Sequence, residues 1–97
     1  MINLEQLRTE YKPQILALAA KHGVENVRVF GSVARGEQRE NSDIDFLVTR
    51  LPKTDLLDIG SFYAGLEDLL LSKIDVVTEG ALSQRIRDNV IKEAVPL

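Results

Sequence analysis

Apolar residues recur at helical spacing along the first twenty positions of the chain. Intervals of three and four, the period of a helix, separate the members of one set: Leu4, Leu7, Tyr11, Ile15, Leu18 and Ala19. Gly23 stands where such a helix would stop. Pro13 conflicts with one straight helix, so we expect a kink or break around Tyr11 and Lys12.

Three further helices follow from the same kind of pattern. Ser32 to Glu37 predicts a short helix. A long one is expected to begin after Asp55, a suitable N-cap, and to run to about Leu71. Its predicted apolar face consists of Leu56, Ile59, Phe62, Tyr63, Leu66, Leu69 and Leu70. The last helix should follow Ser83, and the residues expected to face inward are Ile86, Val90 and Ile91.

Short β-branched runs predict three strands, at 27–30, 44–49 and 74–78, and we expect the tail 94–97 to dock in an extended form. The resulting order α-β-α-β-α-β-α indicates an α/β (α+β) sandwich within a single domain, residues 1–97. A long helix joins the second and third strands, so these should be parallel through a right-handed crossover. The first and second strands should be antiparallel, which gives a small mixed sheet.

Composition narrows the class of protein. The 97 residues carry a net charge of −3, and a mildly acidic chain argues against nucleic acid as a direct partner. Hydrophobic residues make up 44% of the chain, enough for a thin core of the kind that a partner subunit often helps to cover. The absence of cysteine excludes disulfides and thiolate zinc sites. No apolar run has the length of a signal peptide or a membrane span, so we expect a soluble cytoplasmic protein.

Two aspartates stand at alternate positions where the second predicted strand begins. Asp43 and Asp45 should point to one face of the sheet, because side chains at i and i+2 do so. Their carboxylates repel each other unless a cation lies between them, and hard oxygen ligands suit Mg²⁺ or Mn²⁺. Asp75 begins the third strand in the same way. On parallel neighbouring strands, the three carboxylates can hold two metal ions about 4 Å apart, as phosphoryl transfer requires, and the third can act as general base.

Gly31 and Ser32 lie between the first predicted strand and the short helix. A glycine there lets the backbone approach a phosphate closely. The N–H groups that follow it and the Ser32 hydroxyl can then hold phosphate oxygens. Arg35, one helical turn further on, adds positive charge to the same place. Each of these features alone is common at turns and strand edges, and it is their combination and order that indicate a nucleotide-transfer site.

The combined pattern resembles the signature of the DNA polymerase beta-like nucleotidyltransferase superfamily. The resemblance is carried by Gly31-Ser32-x-x-Arg35-Gly36, Ser42-Asp43-x-Asp45 and the later strand residue Asp75. The short length and the closing segments 74–78 and 91–95 are similar to those of minimal nucleotidyltransferases. In prokaryotes these proteins are typically encoded beside a small helical HEPN protein.

The resemblance implies a metal-dependent enzyme that moves AMP from ATP to a hydroxyl of a partner HEPN toxin, with tyrosine as the expected acceptor. The chain would then be an antitoxin that works in a hetero-oligomer. The implied catalytic residues and ligands of Mg²⁺ (two ions, with Mn²⁺ as an alternative) are Asp43, Asp45 and Asp75. The implied nucleotide-binding residues are Gly31, Ser32, Arg35 and Ser42.

Two other functions remain open from the sequence. One is an antitoxin that neutralises its partner by binding alone, with the site kept for nucleotide sensing. The other is an adenylyltransferase that acts on a small molecule. The related aminoglycoside enzymes carry an additional domain that holds the acceptor, and this chain has no such domain. Strands and helices use nearly all of the chain, which favours an acceptor that a partner protein holds in place.

Overall fold

The computed structural model describes residues 1–97, and its four strands form one mixed sheet. The strands are β1 (Val24–Phe30), β2 (Ile44–Arg50), β3 (Ile74–Thr78) and β4 (Val95–Pro96), in the spatial order β3-β2-β1-β4. β1 is antiparallel to both β2 and β4, whereas β2 and β3 are parallel. The predicted α/β (α+β) class and strand directions are therefore confirmed, and the tail forms a fourth strand.

Five α-helices surround the sheet: α1 (Leu4–Gln6), α2 (Lys12–Lys21), α3 (Gly31–Arg35), α4 (Leu56–Leu70) and α5 (Gln84–Glu93). A π-helical segment, Leu7–Tyr11, joins α1 to α2, and a 3₁₀ turn, Glu79–Ala81, follows β3. None of the helices combines the length and the apolar character needed to cross a lipid bilayer.

The interruption expected near Pro13 is present as the π-helical segment. Pro13 lies in the first turn of α2, where its missing N–H costs no hydrogen bond. The N-terminus of α1 is closed by a capping box in which Asn3 and Gln6 each accept a hydrogen bond from the backbone N–H of the other. Gly23, with φ of 71°, follows the end of α2 and leads into β1.

β1 begins at Val24, three residues earlier than the sequence predicts. Its pairing with β2 is irregular between Glu25 and Arg28, and Asn26 in that interval has φ of 51°. Asparagine tolerates this left-handed conformation better than most residues, so the strand continues through the bulge. Glu25 and Asn26 interrupt the β-branched run on which the prediction rests, so the pattern misses the first three residues of the strand.

The hydrophobic core lies between one face of the sheet and helices α2 and α4. It contains fifteen buried residues, including Val29 and Phe46 from the strands and Ile15 and Leu66 from the helices. Leu47, although fully buried, points to the other face and is not part of this core.

The other face is covered in part by a partly buried ion pair. Arg28 donates to Glu79 at 2.5 Å and also to the Thr49 hydroxyl at 3.3 Å. The Arg28 side chain is only 10% exposed. Because Arg28 lies on β1 and Glu79 in the turn after β3, the ion pair connects this turn to β1 across the intervening strand β2. The open remainder of this face carries Asp45 and Asp75.

Two expectations about apolar faces are wrong. Ile86 and Ile91 of α5 are 49% and 37% exposed, Val90 is half-buried, and no residue of this helix is buried. The helix lies at the margin of the sheet next to α3, so its apolar stripe does not enter the core. Leu56 is 82% exposed because it is the first residue of α4, before the turn that packs on the sheet.

Candidate active site

Asp45 and Asp75 lie side by side on adjacent strands. Their Cα atoms are partners in the parallel register of β2 and β3, so both side chains emerge from the same face of the sheet. Asp43 lies one residue before β2 begins, in the exposed end of the preceding loop. The sequence likewise predicts that the strand begins at residue 44, directly after Asp43. Asp75 is exposed, which leaves it accessible to a molecule that approaches the sheet.

The surroundings of Asp45 change the pKa of its carboxyl group. Burial raises its pKa to about 6, and the negative charges of Asp75, Asp43 and Glu93 act in the same direction. The nearby Arg35 lowers this pKa, but it is the only positive charge among these influences. Four acidic groups thus share one region with one base, and such a region favours a bound cation.

Gly31 is the residue that allows Asp45 to occupy its position. Phe30, the last residue of β1, pairs with Asp45, so Gly31 follows directly beside the carboxylate. A Cβ atom on Gly31 would lie 2.2 Å from Asp45 Oδ2, and the φ of Gly31 is 72°. A larger residue would displace the Asp45 carboxylate, and the left-handed backbone also favours glycine at this position. The sequence argument, based on phosphate approach, predicts the same residue for a different reason.

Two residues that the sequence assigns to nucleotide binding, Gly31 and Arg35, already bind a carboxylate. The Gly31 N–H donates to Glu93 Oε1 at 2.6 Å, and Arg35 Nη1 donates to the same oxygen at 2.9 Å. Arg35 also donates through Nε to Glu37 at 3.2 Å, and these two carboxylates raise the pKa of its guanidinium. The half-buried Ser32 follows Gly31 in the first turn of α3. Gly31 and Arg35 thus form one anion-binding arrangement beside Asp45.

Ser42 lies apart from this arrangement and organises the loop before Asp43. Its Oγ accepts a hydrogen bond from the Arg39 N–H at 2.8 Å, and its own N–H donates to the Arg39 carbonyl at 2.9 Å. It also lines a cavity of about 350 Å³ that includes Val33 and Lys73. The geometry assigns Ser42 to the shape of the loop, while its predicted nucleotide contact stays a prediction.

The acidic residues fit a metal that is shared with a substrate. No three acidic or histidine side chains approach closely enough to hold an ion by themselves. Mg²⁺, however, commonly takes only one or two protein carboxylates and completes its shell with phosphate oxygens and water. The negative charges of Asp75, Asp43 and Glu93, which add to burial in raising the pKa of Asp45, are the repulsion that a cation would relieve. The four main cavities do not contain these aspartates in their walls, so the site is an open face.

Glu93 is the site residue that sequence reasoning missed. It stands in the closing segment 91–95, to which we assigned no chemistry. A signal was present, because a carboxylate at the last residue of a helix opposes the helix dipole and needs a compensating partner. The sequence alone does not identify that partner, which lies 62 residues earlier in the chain.

Comparison with known proteins agrees with this geometry. The profile of the family described as Polymerase beta, Nucleotidyltransferase matches residues 13–97. The protein adenylyltransferase MntA of Thermococcus cleftensis is 34% identical over 95 residues, which span 98% of this chain and 96% of that protein. A protein of Methanocaldococcus jannaschii, provisionally named a protein adenylyltransferase, is 40% identical over 86 residues, 89% of this chain and 92% of that protein.

Solved structures give the same result. A chain provisionally described as a minimal nucleotidyltransferase has a TM-score of 0.88 at 47% identity, covering 99% of this chain and 97% of that chain. A chain from the complex of a tri-AMPylated Shewanella oneidensis HEPN toxin with an MNT antitoxin has a TM-score of 0.65 at 20% identity, covering 88% of this chain and 66% of that one. This second likeness is one of fold alone. The family match over residues 13–97 confirms the predicted enzyme class, and the chain belongs to the polymerase beta nucleotidyltransferase family.

Proposed function

We propose that this chain transfers AMP from ATP to a hydroxyl of a HEPN-type partner protein and thereby acts as an antitoxin. The observation that carries the proposal is the pairing of Asp45 with Asp75 beside Gly31. Carboxylates that can bind a metal ion thus lie next to Gly31 and Arg35, which can bind an anion. Nucleotide transfer needs both kinds of group side by side. The name of the Thermococcus relative and the AMPylated toxin in the Shewanella complex support the choice of a protein acceptor.

Asp43, Asp45 and Asp75 would hold Mg²⁺, with Mn²⁺ as an alternative. A bound ion of this kind neutralises phosphate charge and favours loss of the proton from an attacking hydroxyl. Two ions are expected when the triphosphate supplies the missing ligands. Asp45 would hold the metal ion close to the phosphates, because it is the most enclosed of the three carboxylates.

The remaining residues bind and orient the reactants. The Gly31 and Ser32 backbone N–H groups and the Ser32 hydroxyl hold phosphate oxygens, and Arg35 balances their charge. The acceptor oxygen attacks the α-phosphorus, the bond from that phosphorus to the bridging oxygen breaks, and pyrophosphate leaves. Asp75 takes the proton of the acceptor hydroxyl, since its carboxylate is exposed and lies on the edge strand β3.

The acceptor is expected on a protein because the site is an open face. Positioning of both reactants supplies much of the rate in such a reaction, and an acceptor that is not held loses this advantage. The aspartates line none of the four main cavities, so the chain offers little to hold a small acceptor. A docked protein can hold its own hydroxyl in place. Tyrosine is a suitable nucleophile when a metal and a carboxylate together remove its proton.

The test uses the purified chain, Mg²⁺, ATP and the product of the adjacent gene. Intact-mass spectrometry should show additions of whole AMP units on the partner, and Asp43→Asn should abolish them without unfolding the chain. RNA and a panel of small alcohols are incubated in parallel. Transfer of AMP to a small alcohol, with the partner protein unmodified, would establish the small-molecule enzyme instead. Neutralisation of the partner by Asp43→Asn at wild-type level would establish an antitoxin that works by binding alone.

A further inference from the structure

Glu93 occupies the place in which the proposed function puts a phosphate. One oxygen of its carboxylate accepts from the Gly31 N–H and from the Arg35 guanidinium, at 2.6 and 2.9 Å. A carboxylate oxygen is the part of a protein that most resembles a phosphate oxygen in charge and hydrogen bonding. The chain therefore presents an anion of its own to the two donors.

The backbone that carries Glu93 is fastened in place. Two residues beyond it, β4 pairs with β1, and Arg8 donates through Nε and Nη2 to the Pro96 carbonyl at 3.1 and 2.6 Å. The Leu97 N–H donates to the Val27 carbonyl at 3.1 Å, and the Leu97 side chain is buried. The anchored tail thus sets where the Glu93 carboxylate rests. The side chain itself is 34% exposed and has solvent into which it can move.

A phosphate and the Glu93 carboxylate cannot both occupy these donors. The Glu93 carboxylate already fills the space in front of the Gly31 N–H and Arg35 Nη1. A triphosphate in the same place would add more negative charge against it, in a partly buried setting where such repulsion is poorly screened. Exchange of one anion for the other removes the repulsion and keeps both donors satisfied.

We infer that Glu93 is an internal placeholder for a nucleotide phosphate, which holds Gly31 and Arg35 ready and leaves when the triphosphate binds. This inference rests on the proposed function. Its consequence concerns affinity, because a ligand that needs a vacated site binds more weakly in proportion to the fraction of time that the site is vacant. Removal of the Glu93 carboxylate should therefore strengthen the binding of triphosphate, although Glu93 contacts the two phosphate donors directly.

The experiment measures dissociation constants by titration calorimetry for Mg-ATP and for inorganic tripolyphosphate with Mg²⁺. Glu93→Ala should bind both about tenfold more tightly than wild type, the change that follows if the site is vacant about a tenth of the time. Glu93→Gln should show a smaller gain, because its amide oxygen can still accept from the donors. This second variant keeps the size of the side chain and serves if Glu93→Ala does not fold.

The matched control is Glu37→Gln. It removes another carboxylate that contacts Arg35, but Glu37 Oε2 bonds only Arg35 Nε, and the Gly31 N–H belongs to Glu93. The control should change either dissociation constant by less than about twofold, as expected of an exposed pair. An equal gain in the control would overturn the inference in favour of general charge repulsion. Weaker or unchanged binding in both Glu93 variants would overturn it too, and absence of Mg-ATP binding in every protein would overturn the proposed function with it.

Discussion

At the scale of single residues, Gly31 joins the backbone geometry of the site to its chemistry. Its left-handed backbone turns the chain from β1 into α3, and its missing side chain leaves room for the Asp45 carboxylate. Any larger residue has to displace that carboxylate or change the turn. A substitution at Gly31 should therefore have two separate effects. The left-handed backbone lowers the free energy of unfolding, and the displaced carboxylate lowers the transfer rate.

Gly31→Ala should lower the transfer rate at least about a hundredfold, because a misplaced reacting group costs that much. Gly36→Ala is the matched control, since Gly36 has the same φ of 72° but nothing within 4 Å of an added Cβ. Both variants should lose about 1–2 kcal/mol of unfolding free energy from the left-handed backbone. Urea denaturation and transfer rates measure the two effects, and equal rates in the two variants would contradict the role assigned to Gly31.

Asp45 gives a second prediction at this scale, which concerns stability and pH. Its pKa of about 6 in the folded chain, against 3.8 for an ordinary aspartate, means that folding favours the protonated form. The stability contributed by this proton is fully present below about pH 4 and is lost as the pH rises through 6. Unfolding should therefore become easier over this range.

In the metal-free protein, Asp45→Asn should abolish the decrease in folding stability that wild type shows as the pH rises through 6. At pH 7.5 its melting temperature should exceed that of wild type by about 4 °C, which corresponds to about 1 kcal/mol in a domain of this size after allowance for partial solvent screening. At pH 4 the two proteins should melt within about 1 °C of each other. Melting curves in the presence of a chelator test this, and a difference that grows toward acid pH would show that the sign is wrong.

At the scale of elements, the placement of Asp75 depends on α4. This helix connects β2 to β3, and its packing sets the register in which Asp45 faces Asp75. Asp55 closes its N-terminus with a capping box, in which the side chains of Asp55 and Asp58 each accept from the other's backbone N–H. α5 offers a natural comparison, because its N-cap Ser83 makes no side-chain hydrogen bond.

Asp55→Ala should lower the free energy of unfolding by about 1 kcal/mol, the usual cost of losing a bonded N-cap side chain. Ser83→Ala should change it by less than about 0.3 kcal/mol, because no capping bond is lost. Urea denaturation of the two variants and wild type provides the measurement. A cost for Ser83→Ala as large as that for Asp55→Ala would contradict the capping assignment.

At the scale of the whole molecule, one sheet serves two purposes on its two faces. Helices pack against one face of the sheet and form the core with it. The other face carries the site and is covered only in part. Within α4, Leu66 faces this core and is fully buried, whereas Leu57 is 81% exposed. A core of fifteen residues leaves little reserve when one of them is truncated.

Leu66→Ala should cost about 2–5 kcal/mol of unfolding free energy, a large share of the 5–15 kcal/mol that holds typical domains together. Leu57→Ala should stay within about 0.5 kcal/mol of wild type. Chemical denaturation compares the two, and the Leu66 variant should also be the one that loses activity on mild warming. Similar costs at both positions would mean that Leu57 is covered in solution.

Prediction from the sequence succeeds where a local pattern has only one structural meaning. The strand Ile74–Thr78 and the N-cap Asp55 are found as predicted, because a β-branched run and a capping residue depend on neighbours in the chain. It fails at Ile86 and Ile91, whose helical spacing indicates an apolar stripe but not what covers it. It also fails at the start of β1, where the polar residues Glu25 and Asn26 at a bulge interrupt the β-branched run.

The sequence by itself determined the acidic and glycine-serine motifs, the order of elements and the family that these imply. Each of these depends on residue type and on spacing along the chain. Only the tertiary structure decided that Gly31 makes room for Asp45 and that Glu93 binds the donors beside it. Those contacts join residues 14 and 62 positions apart. Separations of this size are closed by strand register and by the anchored tail, and no local periodicity records where such closures place a side chain.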